Sequence, residues 1–308
     1  MELVINPSQA VFNQLITLAA ETHGWAHQPY DYTFYREGFD EFWLICMVDK
    51  TKDDSNNFVA GGSLARWNDS NGEPLYSIGL FYCKEQYRSQ GYGKPVFKAM
   101  MDIVGGANCV LMAATDMSEK YASGFGFKEM PAYWHLKAVT EPGKMRIPEL
   151  SDKYTTENWK NVDMDLLDAY DSTICPLNRK KRNSLWFKQE EVFTRVAFDS
   201  AHKIVGYGSI RVVNLNRLLA DPFYAENEEI AARLLGDVVK EIPNFGSFDK
   251  LVFRCPEVNR GMKALLSRFF PPDAYETKVR TRVQFTKKLI EARDEVVYSA
   301  GCPTHQFV

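Results

Sequence analysis

One short pattern occurs twice in this chain and restricts its fold more than any other feature. Val59-Ala60-Gly61-Gly62-Ser63-Leu64 returns as Val205-Gly206-Tyr207-Gly208-Ser209-Ile210, 146 positions on (59 to 205). Phe81-Tyr82-Cys83 returns as Phe223-Tyr224-Ala225, 142 positions on (81 to 223), and Phe125-Gly126-Phe127 falls at a similar offset from Phe269-Phe270. Three matches in one order at nearly constant spacing imply a tandem duplication; two unrelated α/β domains are the alternative. A chain of 308 residues has room for two copies, since domains commonly run to about 150 residues.

Each copy reads as alternating helices and strands. Asn6-Pro7 followed by Gln9 has the form of an N-cap, a first-turn proline and a capping box. Val11, Phe12, Leu15, Ile16 and Ala19 then recur with helical period, and Gly24 can close that helix. Phe42–Val48, Phe58–Trp67 and Tyr76–Cys83 read as strands, with a polar turn at 53–57. A helix over Lys94–Val104 stops at Gly105-Gly106, and a strand over Cys109–Ala114 and a short helix over Ser118–Gly124 follow. The second copy offers a helix over Asp163–Ile174 and strands over Val192–Asp199, Lys203–Val213 and Leu218–Ala225. It continues with helices over Asn227–Ile242 and Gly261–Phe270 and strands over Leu251–Cys255 and Thr277–Phe285. Residues 138–158 are rich in Pro, Gly, Lys, Glu and Thr, lack a period and read as a linker. The expected organisation is a domain over 1–137, this linker, a second copy over 159–290 and a C-terminal tail over 291–308.

The chemistry concentrates in the segment from Phe81 to Met100. An apolar strand leads through Lys84-Glu85-Gln86-Tyr87 into Arg88-Ser89-Gln90-Gly91-Tyr92-Gly93 and then into a helix carrying Val96, Phe97 and Met100. Gly91 and Gly93 allow unusual dihedrals and close approach of a ligand. A helix N-terminus presents free N–H groups and the positive end of its dipole, so this loop suits an anion. Successive inward N–H groups can form a nest for a pyrophosphate. The loop lacks the spacer and final Lys-Ser/Thr of a P-loop. Val96 stands where a dinucleotide fingerprint would need glycine.

The Arg-x-x-Gly-x-Gly pattern of Arg88–Gly93, with its strand and helix flanks, resembles the coenzyme A loop of the GNAT (GCN5-related) N-acetyltransferase superfamily. Ser118–Phe127, Ser-Glu-Lys-Tyr-Ala-Ser-Gly-Phe-Gly-Phe, is similar to that superfamily's last helix, which ends in Gly-Phe. The resemblance covers the first copy well and the second weakly. It implies an α/β fold with a mixed sheet, present as tandem GNAT-like acyl-CoA N-acyltransferase folds, the first catalytic and the second degenerate. It also implies acetyl-coenzyme A as the coenzyme, lying where the central strands splay. Phe81, Tyr82 and Cys83 would offer backbone groups to pantetheine, and Cys109–Ala114 would form the other wall. Arg88, Ser89, Gln90, Gly91, Tyr92, Gly93 and Lys94 would hold the pyrophosphate, and Ser118 could face the thiol. The second copy has no glycine between its strand Leu218–Ala225 and its helix Asn227–Ile242, so it lacks a phosphate nest.

The implied reaction moves an acetyl group to a primary amine, with a basic amino acid or polyamine as the expected acceptor. A protein lysine or N-terminus, and a non-catalytic coenzyme A-binding module, are the alternatives. Many family members place a proton-donating tyrosine where this chain has Ala122; Tyr121 stands one step earlier and is the candidate acid. Glu73 and Glu85, bracketing the central strand, are candidate bases. Asp31, Glu37, Asp40 and Glu41 form an acidic cluster suited to a cationic acceptor, with Asp31, Glu37 and Asp40 as the candidate acceptor-binding residues. Asp171, disfavoured near a helix C-terminus by the dipole, either serves that acceptor or pairs with Arg179 or Lys180.

Composition sets the remaining limits. Formal net charge is −3, so there is no global positive field for nucleic acid or an anionic membrane. The N-terminal sequence lacks a basic region followed by an apolar run, so no signal peptide is read. Six scattered cysteines without a CxxC pair read as reduced thiols of a cytoplasmic protein, and five histidines without metal-site spacing as holding no metal. The expected partner is a small-molecule amine, and the expected assembly a monomer or homodimer.

Overall fold

The computed structural model describes residues 1–69 and 71–308. The first copy consists of β1 (Glu2–Ile5), α1 (Gln9–His23), α2 (Asp31–Gly38), β2 (Glu41–Val48), β3 (Phe58–Asn68), β4 (Pro74–Cys83), α3 (Gly93–Val104), β5 (Asn108–Ala114), α4 (Ser118–Phe125) and β6 (His135–Thr140). The second runs β7 (Thr155–Asn158), α5 (Met164–Ile174), α6 (Lys180–Phe187), β8 (Val192–Phe198), β9 (Ile204–Val213), β10 (Arg217–Ala225), α7 (Glu228–Glu241), β11 (Lys250–Pro256), α8 (Gly261–Phe269), β12 (Tyr275–Phe285) and β13 (Val297–Ser299). The helix start differs from expectation. The N-cap of α1 is Ser8, while Asn6 takes φ +54° and its Oδ1 accepts a hydrogen bond from Leu44 N–H at 2.9 Å. Gly24 closes α1 at φ +65° as expected.

The repeat is a packing motif. Ala60 pairs with Cys83 and Gly61 with Tyr82, just as Gly206 pairs with Ala225 and Tyr207 with Tyr224, and a bulge follows in each copy. The aligned glycines sit beneath the aligned phenylalanines. A Cβ on Gly62 would come within 3.1 Å of the Phe81 ring, and one on Gly208 within 2.5 Å of the Phe223 ring.

The two copies are not joined as beads. One sheet runs in the order β1-β2-β3-β4-β5-β12-β6-β11-β10-β9-β8-β7. Thus β12, from the second copy, lies against β5 of the first, and β6, from the first, lies against β11 of the second. The stretch expected to be a linker therefore begins inside a strand, because β6 continues through Ala138–Thr140 and is paired on both edges. The outer faces are covered by α3 and α4 around Phe97 and Met100, and by α7 and α8 around Leu235 and Phe253. The inner faces turn toward each other. There α1, α2, α5 and α6 share one core containing Phe12, Tyr35, Trp186, Tyr207 and Phe285. Among the described residues, no helix is long and apolar enough to cross a membrane.

The segment 300–308, expected to be a tail, is threaded through this inner core. Phe307 and Val308 are buried there. His305 Nε2 lies 2.8 Å from Ser63 Oγ on β3, and its Nδ1 lies 2.9 Å from Ser77 Oγ on β4. Burial, with the nearby His27 and Arg182, lowers the His305 pKa from 6.5 to about 3. The unfolded state therefore binds the extra proton between those values, and this group's share of stability is lost as pH falls through that window. His305→Gln should lose less stability than the parent across the window in urea titrations; equal losses would contradict this.

Candidate functional site

The loop between β4 and α3 has the features its residues dictate. After the turn Glu85–Tyr87, Ser89 takes φ +62° and Gly91 φ +85°. A Cβ built on Gly91 would meet nothing within 4 Å. The backbone N–H groups of Ser89, Gln90, Gly91, Tyr92 and Gly93 make no well-aligned bond to a carbonyl outside the helix among the described residues, only the loose contacts of the turn over 88–92. No side chain caps α3, and its first turn carries no acid. Consecutive loosely held amides at an uncapped helix start, over open space, fit a phosphate. Arg88 bends back instead: Nε donates to Cys83 O at 3.2 Å, and Nη2 lies 2.9 Å from His23 Nε2.

Beside the loop the sheet opens. β4 and β5 are paired only from Leu75–Ile78 to Asn108–Leu111. Leu80 takes φ +52°, and Gly79–Cys83 then stay with β3 while Met112–Ala114 stay with β12. The facing backbone edges are left unpaired, as an extended, amide-bearing ligand requires. Phe81 points to the outer face against Phe97, with ring centroids 5.5 Å apart, and Tyr82 to the inner face against Trp25 at 6.2 Å.

The second copy has the same gap and closes it with its own chain. β10 and β11 pair only over Arg217–Leu219 and Lys250–Val252. β13 then enters between them: Phe223 pairs with Ser299, Ala300 N–H donates to Arg254 O at 2.7 Å, and Arg254 N–H donates to Ser299 Oγ at 3.0 Å. At the start of α7, Asn227 Oδ1 accepts from Ile230 N–H at 3.0 Å, and Glu228 and Glu229 occupy the first turn. Both features disfavour a phosphate there.

Tyr121 on α4 packs beside Phe97, with centroids 5.8 Å apart, and its hydroxyl bonds to nothing among the described residues. Burial, with Asp116 nearby, raises its pKa to about 12. Ser118, buried at the start of α4, accepts a hydrogen bond from Gln284 Nε2 at its carbonyl. Glu85 is exposed and pairs with Arg88 at 3.7 Å. Glu73 is corrected: it belongs to the β3–β4 turn, at the other end of the ten-residue β4, roughly 20 Å from Leu80 at the usual strand rise.

The acidic cluster does not converge. Asp31 is buried, with both carboxylate oxygens 3.0 Å from Arg211 Nη2 and Oδ2 3.2 Å from His27 Nδ1. Burial alone would raise its pKa; Arg211 and His27 overcome that and hold it below the usual range. Asp171 is likewise buried, taking Arg179 Nε and Nη2 at 2.9 Å each and the Tyr207 hydroxyl. These carboxylates neutralise arginines that the inner core encloses. Glu37 and Asp40 face solvent. No acidic pocket for a cation is built from these four residues.

Other polar groups gather on the inner face unannounced by any motif. His27 Nε2 lies 3.6 Å from Cys302 Sγ. Burial alone would lower the His27 pKa, but Cys302 and Asp31 lift it to about 9. His135 and Arg254 are buried with unpartnered nitrogens, and the Thr281 hydroxyl is unpartnered too. The readable signal was a charged residue inside an apolar strand, Arg254 in Leu251–Cys255. All six thiols are free.

Residues 12–127 match the acetyltransferase (GNAT) family, and residues 168–295 match a second acetyltransferase (GNAT) domain. A solved structure of a Pyrococcus horikoshii protein superposes with TM-score 0.69 at 13% identity, covering 96% of this chain and 93% of that one. A tandem GNAT protein from the clavulanic acid biosynthesis pathway gives 0.64 at 13% identity, covering 92% and 98%. A GCN5-related N-acetyltransferase from Sphaerobacter thermophilus gives 0.55 at 15% identity, covering 95% and 97%. At such identities the likeness shows a shared fold. No curated protein matches the chain by sequence.

Proposed function

Because this chain belongs to the GNAT acetyltransferase superfamily in both of its halves, we propose that it is an acetyl-coenzyme A-dependent N-acetyltransferase. Its first copy holds the coenzyme, and its acceptor is the primary amine of a small molecule. The observation that carries this reading is the asymmetry between the two gaps. The second is filled by β13 and closed at Asn227; the first keeps unpaired backbone edges and loosely held amides at 89–93.

Acetyl-coenzyme A, when bound, supplies the acetyl group as a thioester. The amides of Ser89–Gly93, with Lys94, would hold its phosphates, and the Arg88 guanidinium would join them only on leaving Cys83 and His23. The open edge of Gly79–Cys83 would align its pantetheine arm and would offer N–H groups to a carbonyl on which negative charge develops. Tyr121, protonated at neutral pH, would give a proton to the coenzyme's sulfur and be reprotonated by the proton the amine releases, through solvent. Four helices and residues 300–308 cover much of the inner face, which favours a small amine over a protein lysine. The carboxylates expected to greet a polyamine are engaged with arginines or face solvent.

Calorimetric titration with coenzyme A, followed by thiol release against a panel of amines, tests the reading. Binding that perturbs 81–83 and 88–94, with amine-dependent release, is expected. Binding without release would leave a coenzyme-binding module; no binding would end the proposal. Tyr121→Phe should lower kcat by roughly a hundredfold, as for loss of a positioned proton donor, with coenzyme affinity unchanged. An unaltered kcat would return Tyr121 to a packing role.

A further inference from the structure

On the inner face, where β6, β11 and β12 run side by side, cations outnumber carboxylates: Glu276 is engaged by Lys278, and Asp221 acts on Arg254 only at longer range. Lys137 stands directly opposite Arg254 on β11 and Lys278 on β12. Burial lowers the Lys137 pKa to about 8, with Arg254, Arg217, Arg280 and Lys250 adding to the effect. Lys278 is paired with Glu276 at 2.9 Å, and Arg217 donates to the Gly24 and Trp25 carbonyls at 2.9 and 3.0 Å. Arg254, Lys137, Arg280 and Lys250 have no carboxylate within 4.0 Å among the described residues. Like charges opposed across a sheet are destabilising, and a buried guanidinium without a partner is costly.

The groups beside these cations also lack partners. Arg254 is 9% exposed and its Nη1 reaches no acceptor. His135 is 1% exposed with neither ring nitrogen bonded, and Thr281, its register partner on β12, has an unbonded hydroxyl. The patch opens outward from buried Arg254 through half-buried Lys137 to exposed Arg280 and Lys250. It adjoins the gap: Thr281 pairs with Ala114, the end of β5, and with His135. About two strand spacings, roughly 10 Å, therefore separate that lip from His135.

We propose that Arg254, Lys137 and Arg280 hold an anionic group, a carboxylate or a phosphate, carried by the acceptor amine, with His135 and Thr281 as neutral hydrogen-bonding neighbours. This rests on the acetyltransferase reading and adds the substrate class: a small molecule with an amine at one end and an anion at the other, in place of a polyamine. The same positive field favours the neutral, nucleophilic form of the amine over its ammonium.

Thiol release with matched acceptors tests this. γ-Aminobutyrate is compared with putrescine, and phosphoethanolamine with ethanolamine. The anionic member should have the higher kcat/KM by about tenfold or more, the scale of a charge-assisted contact; the better pair distinguishes carboxylate from phosphate. Arg254→Met, and separately the exposed Arg280→Met, should erase that advantage through KM while acetyl-coenzyme A affinity holds. Without ligand, Arg254→Met should melt no lower than the parent, because it removes an unpartnered charge. Equal or better turnover of putrescine and ethanolamine would overturn the proposal and leave the acetyltransferase reading standing. If coenzyme A fails to bind, or binds while none of the four amines is turned over, the acetyltransferase reading falls instead, and the patch is judged by inorganic phosphate. A phosphate-induced rise in melting temperature that Arg254→Met abolishes supports the patch, and no rise in the parent overturns it.

Discussion

Removal of residues 301–308 is expected to abolish cooperative folding. The segment contributes Phe307 and Val308 to the core shared by both copies, with Phe307 edge-on to Phe285 at 5.4 Å. Deleting one buried aromatic side chain costs about 3–5 kcal/mol. The loss does not end with apolar contact. With the Gln306 amide oxygen facing Arg182, it accepts from Nη1 at 2.9 Å, and its nitrogen donates to Asp221 Oδ1 at 2.6 Å. Cys302 N–H also donates to Asp221, and His305 bridges Ser63 and Ser77. Arg182 and Asp221 are buried, and orphaning a buried charge costs about 3–5 kcal/mol more. Together these exceed much of the roughly 5–15 kcal/mol that holds a domain folded. Near-ultraviolet circular dichroism and a thermal melt should show lost tertiary packing. A sharp melt within a few degrees of the parent would contradict the account. Phe307→Ala alone should retain the fold and lose about 3–5 kcal/mol in urea.

Gly91→Glu should abolish coenzyme binding while leaving the fold in place. Gly91 stands at φ +85° with open space where a Cβ would point, so the substitution creates strain without a clash. A side chain in that backbone region costs about 1–2 kcal/mol, a small part of the whole. The effect on the ligand is far larger. The carboxylate enters the space over the amides of 89–93 and opposes a phosphate by charge. A loss of roughly a hundredfold or more in affinity, about 2.7 kcal/mol, is the scale expected. Gly93→Glu should act in the same direction and unsettle the protein more, because a Cβ there lies 3.2 Å from the Phe81 ring. Calorimetry with coenzyme A reads both variants. Unchanged affinity with intact melting would assign the loop another task.

What the chain's own order of residues determined was local or periodic. Strand, glycine loop and helix succeed one another over Phe81–Met100 because φ preferences, apolar period and helix-start chemistry act within a few residues. The duplication was legible for the same reason: aligned glycines beneath aligned phenylalanines are a packing rule written into each copy. Tertiary structure alone decided the exchange of β6 and β12, the entry of β13 into the second gap, and the burial of 300–308. Those pairings join strands far apart in sequence, whose backbone groups carry no record of their partner. The same holds for charge. Asp31 read as part of an acidic cluster for a cationic acceptor, yet its partner Arg211 lies 180 residues away. Arg254, Lys137 and His135 became a cationic patch only when three strands from both copies were laid side by side.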